Sequence, residues 1–174
     1  MKKWLCALLA LVMLLSACAV LAEGAEGGED AFTFNFATTD LDGNIVSSAE
    51  IYAGNKITMI NFWATWCPPC VGELAGLAEV HSRLREMGCG VVGILMDSYD
   101  PKGVESAKAL MAQNGTNYPV LTLSGDLYGL AQVINVIPTT IFVDGSGILV
   151  GTPIVGALVD QYVPAVEALL EGKT

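Results

Sequence analysis

Cys67 and Cys70 are the residues of this 174-residue chain whose type and spacing point most directly to chemistry. They flank Pro68 and Pro69 and follow the apolar run Ile57 to Ala64. Two thiols three positions apart at the start of a helix lie one turn apart, so they are close together yet differently exposed. Cys67 falls at the helix N-terminus, where free amide groups and the positive end of the helix dipole favour a thiolate. Cys70, one turn in, lies under it and can close a small disulfide ring. The two prolines stiffen that ring. A pair of this kind performs thiol–disulfide exchange. The same spacing also supplies half of a zinc site. Further ligands would have to come from His81 and Cys89, because the chain has no second Cys-x-x-Cys and only one histidine. The pattern favours redox chemistry over metal binding.

The elements that must position this pair are legible from periodicity. Phe32 to Phe36 alternates as a strand does, and Asp42-Gly43-Asn44 is a turn that returns the chain through Ile45-Val46. Ile57 to Ala64 is the β-branched run of a central buried strand. The helix opening at Cys67 has its apolar stripe at Leu74, Leu77, Val80, Leu84 and Met87, and Gly88 ends it. Cys89 to Met96 reads as a second buried strand, with Cys89 as a small buried hydrophobe and His81 as a surface residue. A helix over Pro101 to Gln113 stops at Asn114-Gly115. Tyr118 to Leu123 is extended, and Asp126 is placed to cap a short helix through Ile134. Thr139 to Val143 and Ile148 to Thr152 form a hairpin around Asp144-Gly145-Ser146-Gly147, and Ala157 to Leu170 is a last helix. This alternation predicts an α/β fold: a central mixed β-sheet with helices on both faces, preceded by an N-terminal β-hairpin.

Composition narrows the function classes. Eight basic residues against 18 acidic ones give a net charge of −10. That balance opposes nucleic-acid binding and charge-driven adhesion to anionic lipid. An apolar fraction of 53% opposes disorder. Part of that fraction sits at the front, where Met1-Lys2-Lys3 precedes an uncharged apolar run from Trp4 to Leu15, the pattern of a secretory signal peptide. Leu15-Ser16-Ala17-Cys18 resembles a bacterial lipobox, in which Cys18 is lipidated and becomes the new N-terminus. Val20-Leu21-Ala22 is the competing small-residue cleavage site, and would release a soluble secreted protein. The expected organisation is a lipoprotein-type signal at 1–17, a flexible acidic linker at 18–30 and one domain over 31–174. Either cleavage places that domain outside the cytoplasm. Lipidation would hold it at the membrane, since two acyl chains suffice for stable anchoring.

Trp66-Cys67-Pro68-Pro69-Cys70, the preceding Ile60-Asn61-Phe62-Trp63-Ala64 and the distant Ile137-Pro138-Thr139-Thr140 together resemble the thioredoxin superfamily. Within it they resemble the TlpA/ResA-like extracytoplasmic thiol–disulfide oxidoreductases, over roughly Phe32 to Leu170. The resemblance implies a thioredoxin-like fold with a redox disulfide between Cys67 and Cys70. It implies that Pro138 is a cis proline facing the pair, and that the Ile137 backbone, with Trp66 and Pro68, contacts an extended partner segment. Glu73 matches a glutamate that follows the motif in ResA-like proteins. Asn61 stands where many thioredoxins have a buried, titrating aspartate. A carboxylate beside Cys70 would have a raised pKa and could exchange the proton of that thiol; a solvated place in the first helical turns is the alternative for Glu73. The implied activity is reduction of disulfides in extracytoplasmic proteins, apocytochrome c among the possible partners. Electrons would come from a membrane donor of the CcdA/DsbD type. No cofactor and no metal are expected, and a monomer is. Two rivals fit less well. A thiol peroxidase of the peroxiredoxin class would need proline and threonine or serine where the chain has Ile60 and Ala64. A copper-binding metallochaperone of the same fold would need three residues between the cysteines and a histidine near Pro138.

Overall fold

β3 (Ile57–Trp63) is buried along its whole length, as a mainly apolar central strand is, with Thr58 and Asn61 its buried polar members. A computed structural model describes residues Thr33–Lys173; the expected signal segment, Cys18 and the acidic linker lie outside the described residues. Around β3 a five-stranded sheet runs in the order β5-β4-β3-β6-β7. β4 (Gly90–Leu95) and β5 (Val120–Thr122) extend it in parallel on one side. β6 (Thr139–Asp144) and β7 (Leu149–Val155) continue it antiparallel on the other. The expected mixed sheet is therefore present. Parallel neighbours need a helical crossover, and the chain supplies α2 (Pro68–Glu86) after β3 and α3 (Pro101–Gln113) after β4. The antiparallel β6–β7 pair needs only the turn around Asp144, whose carboxylate accepts the N–H groups of Ser146 and Ile148.

The alternation along β3 divides the core between the two faces. Met59 and Trp63 point to the face covered by α2, α3 and α5 (Val159–Leu170), where Leu74, Leu77 and Leu84 meet Tyr162, Val163 and Val166. Ile60 and Phe62 point to the other face, under Phe34, Phe36, Tyr52 and Leu127. Burying each such side chain contributes about 1.5–3 kcal/mol. Asn61 shares the parity of Met59 and Trp63, so it points into the layer that carries α2.

Three local readings are corrected. Of the expected strand over Phe32–Phe36, residues 33–36 are described and form no strand: Thr33 makes one bridge to Ile148, and Phe34 and Phe36 are buried anchors. Pairing begins at β1 (Ala37–Thr39), which with β2 (Ile45–Ser47) makes the expected hairpin as a separate two-stranded sheet. Aromatic burial alone explains the alternation there. A helical turn absent from the sequence reading, α1 (Ser48–Ala53), follows β2 and buries Tyr52, whose hydroxyl donates to the Phe34 carbonyl at 2.6 Å. Asp126 does not cap the short helix: Gly125 is the N-cap, with φ +58, and Asp126 is the first residue of α4 (Asp126–Leu130). A 3-10 turn over Ala131–Val133 follows. The hairpin is tied to the sheet edge through hydroxyls, with Thr38 Oγ1 2.7 Å from both the Thr122 carbonyl and Ser124 Oγ.

The start of α3 is tightly fitted. Asp100 caps it by accepting the Lys102 N–H at 3.0 Å, and Pro101 takes the first helical position. Gly103 lies so close to the end of β4 that an added Cβ would stand 2.5 Å from the Asp97 carbonyl oxygen. Gly103→Ala is therefore expected to destabilise the protein by about 1–3 kcal/mol in urea unfolding, although alanine is the better helix former. A neutral or stabilising result would show that this approach relaxes freely.

Candidate active site

Cys67 and Cys70 form a disulfide, with Cα atoms 5.3 Å apart. Cys67 is the N-cap of α2 and Cys70 stands at its third position. Pro68 and Pro69 have no N–H, so the first amide proton of the helix belongs to Cys70. It donates to Cys67 Sγ at 3.4 Å. The proline pair thus concentrates the donor capacity of the helix start on one sulfur. In the reduced protein the same donor would favour a thiolate there. The next amide, of Val71, is taken by the Cys67 carbonyl at 3.1 Å. Both sulfur-bearing residues are buried, Cys67 at 5% exposure and Cys70 at 0%, while Trp66 beside them is 67% exposed. Trp66, adjacent to Cys67 in the chain, thus presents a large apolar side chain to solvent.

The second motif closes on the first across seventy residues of chain. The Ile137–Pro138 peptide is cis, and the Ile137 carbonyl oxygen lies 3.8 Å from Cys67 Sγ. Pro138 is buried and Ile137 is half-buried, while Pro68 is exposed at the helix start. Trp66, Pro68, Ile137 and Pro138 thus belong to one end of the fold, at the carboxyl end of β3 and the start of β6.

Glu73 is one turn along α2 from Cys70 and on the same helix face, with 2% exposure. The alternative of a solvated Glu73 is excluded by this burial. Asn61 Nδ2 donates to Glu73 Oε1 at 2.9 Å and the Tyr162 hydroxyl donates to Oε2 at 2.7 Å. Asn61 Nδ2 also reaches Thr140 Oγ1 at 3.1 Å. Burial pushes the Glu73 carboxyl above the ordinary carboxylate range, and the bonds from Tyr162 and Asn61 only partly oppose it. The result is a buried carboxyl, one turn from Cys70, that holds its proton more readily than a solvated glutamate would. Asn61 does not replace an aspartate as a titrating group; it orients one. Tyr162 was not singled out in the sequence, and Thr140 only as part of the Ile137-Pro138-Thr139-Thr140 motif. Tyr162 sits in the apolar stripe of α5, where it reads as core, and nothing in its spacing marks its hydroxyl.

The remaining candidates lie elsewhere. Cys89 is a free, buried thiol whose pKa burial pushes up, consistent with an inert core residue. His81 is half-buried rather than a surface residue: its Nδ1 accepts the Val91 N–H at 3.1 Å, so it pins α2 to β4. Burial and the nearby Arg85 lower its pKa, which favours the neutral ring that this bond needs.

The chain is similar to several known proteins. Thiol-disulfide oxidoreductase ResA of Bacillus thuringiensis (strain Al Hakam) is 28% identical over 113 residues, which are 65% of this chain and 62% of that protein. The match thus spans less than two thirds of the relative. A thiol:disulfide interchange protein DsbE homolog of Paracoccus denitrificans is 31% identical over 110 residues, 62% of this chain and 55% of that one. Among solved structures, a thiol:disulfide interchange protein of the thioredoxin family from Chlorobium tepidum TLS superposes with a TM-score of 0.65 at 28% identity, covering 79% of this chain and 97% of that one. The architecture is accordingly thioredoxin-like. The AhpC/TSA family model matches residues 28–151, most of the chain, and the protein therefore belongs to the AhpC/TSA family.

Proposed function

We propose that the protein is an extracytoplasmic thiol–disulfide oxidoreductase that reduces disulfides in partner proteins. The observation that carries this reading is the buried Cys67–Cys70 disulfide at a helix N-terminus, with the buried Glu73 carboxyl one turn below it. The relatives' names point the same way. In the reduced protein the Cys67 thiolate attacks a partner disulfide. A mixed disulfide forms and one partner thiolate leaves. Glu73 takes the proton of Cys70, whose thiolate attacks Cys67 Sγ, releases the second partner thiolate and closes the Cys67–Cys70 bond. Two electrons pass to the partner, and its thiolates take up protons from Glu73 and water. A membrane-bound electron donor then restores the dithiol. Trp66, Pro68, Ile137 and Pro138 bind the partner segment: the exposed indole supplies apolar area, and the Ile137 backbone beside the sulfur receives an extended chain. The N-terminal pattern supports export, with Cys18 as the lipid anchor.

Trapping tests the scheme and names the partner. Cys70→Ser retains the attacking thiol and lacks the resolving one. It is expected to accumulate a mixed disulfide through Cys67, visible as a reductant-sensitive band and identifiable by mass spectrometry. A Cys70→Ser protein that turns over like wild type would exclude a resolving role for Cys70.

A further inference from the structure

We propose that Asp97 is a positioning residue for the redox pair: its buried carboxylate holds the turn that carries Cys67 and biases the pair electrostatically toward the disulfide. The reading rests on the exchange chemistry proposed above.

Asp97 stands just beyond the end of β4, is 4% exposed, and has its carboxylate turned to the segment between β3 and α2. Thr65 Oγ1 donates to Oδ2 at 2.5 Å, and the Thr65 N–H lies 3.3 Å from both carboxylate oxygens. Thr65 is two residues before Cys67, inside a turn closed by the Cys67 N–H on the Ala64 carbonyl at 3.2 Å. The backbone of Asp97 is itself held: its carbonyl accepts the Asp100 N–H at 3.2 Å, and Gly103 packs directly against it. A rigid element thus carries the carboxylate, and the carboxylate carries the turn. None of its bonds comes from a cation. Neither ion pair found among the described residues, Lys108–Asp42 and Lys173–Glu171, involves it.

The consequence is electrostatic as well as geometric. Two residues of chain span at most about 7.6 Å between Cα atoms, and with the reach of the two side chains the carboxylate lies roughly within 14 Å of the Cys67 sulfur. A buried, unpaired negative charge at that range opposes a second negative charge on Cys67. It therefore opposes the amide of Cys70 and the helix dipole, which favour the thiolate. Destabilising the thiolate destabilises the reduced state relative to the disulfide, and makes the dithiol the stronger reductant. That is the direction a disulfide reductase needs.

The experiment is a redox equilibrium of the full chain against reduced and oxidised glutathione at pH 7, with the alkylation rate of Cys67 measured on the reduced protein. Wild type must first reach a dithiol–disulfide equilibrium; if it does not, the proposed function itself fails. Asp97→Asn removes the charge and keeps the shape. It is expected to shift the equilibrium constant toward the reduced pair roughly threefold to tenfold. That shift is about 14–30 mV toward a more oxidising potential, at 29.6 mV per tenfold for two electrons. Alkylation of Cys67 should accelerate by a similar factor. Thr65→Val removes the hydroxyl bond and leaves the charge, so it should change the equilibrium constant less than twofold. Asp97→Ser, neutral and smaller, gives the same reading if the Asn variant does not fold. An equilibrium constant for the neutral Asp97 variants equal to that of wild type would overturn the proposal. So would a Thr65→Val shift as large as theirs, because turn geometry would then account for the effect without the charge.

Discussion

Cys67→Ser is expected to lower disulfide-exchange activity to background, about 10³-fold or more below wild type, in an insulin-reduction assay. A serine hydroxyl at this position has no base to activate it and is a poor nucleophile at neutral pH, whereas sulfur is intrinsically far more nucleophilic. The first amide of the helix is directed at this sulfur, since Pro68 and Pro69 contribute no N–H and the Cys70 amide points at it from 3.4 Å. The fold should survive, because the residue replaced caps the helix and serine is a preferred N-cap. Thermal unfolding of the variant close to that of the reduced wild type separates loss of chemistry from loss of structure. Residual turnover above a few per cent of wild type would mean that Cys70 attacks the partner itself, and the assignment of roles would have to be reversed.

Glu73→Gln should slow the resolving step about 10²-fold, the usual contribution of a positioned general base. The relevant signal is single-turnover release of the mixed disulfide, not the initial attack, which the variant should leave nearly unchanged. In wild type the resolving rate should rise with pH through the raised Glu73 pKa, because the carboxylate is the form that accepts the Cys70 proton. The Gln variant should lose that rise. Stability should move in the opposite sense. A carboxyl whose pKa is higher folded than unfolded favours folding fully below its ordinary value of 4.5, and that contribution is lost as pH rises through the folded value. Glu73→Gln should therefore match wild type at pH 4 and exceed it increasingly toward neutrality, as read by urea unfolding across the range. A slower enzyme that is more stable at pH 7 is the expected signature of a buried acid kept for function. A resolving rate in the variant equal to that of wild type, with the same pH profile, would remove Glu73 from the mechanism.

Much of the fold was legible because strong local signals agreed. The mainly apolar run at β3, the helix from Pro101 to its Asn-Gly end, and the glycine after α2 are strong local signals, and each was found where expected. The errors came where local pattern and tertiary burial give the same sequence. Phe34 and Phe36 alternate because both are buried against Phe62 and Tyr52, not because their backbone is paired in a strand. The six residues of α1 carry too short a period to announce a helix. Within the candidate site, Cys67 and Cys70 stand out in the sequence because thiol exchange needs a rare residue type at fixed spacing, and Pro138 stands out only through the family resemblance.

What the sequence by itself determined is the proposed reaction class and the cysteine pair proposed to perform it. Thiol chemistry is a property of residue type, and the three-residue spacing on a helix is enough to bring the two sulfurs within bonding reach. Only the tertiary structure decided the environment that tunes them. Glu73 became a buried acid because Asn61 on β3 and Tyr162 on α5 converge on its carboxylate from 12 and 89 residues away. Asp97 came under the Cys67 turn because β4 lies parallel beside β3 and ends level with it. Contacts of that separation depend on strand register and helix packing. No periodicity in the chain encodes them, because each partner looks locally like an ordinary member of its own strand or helix.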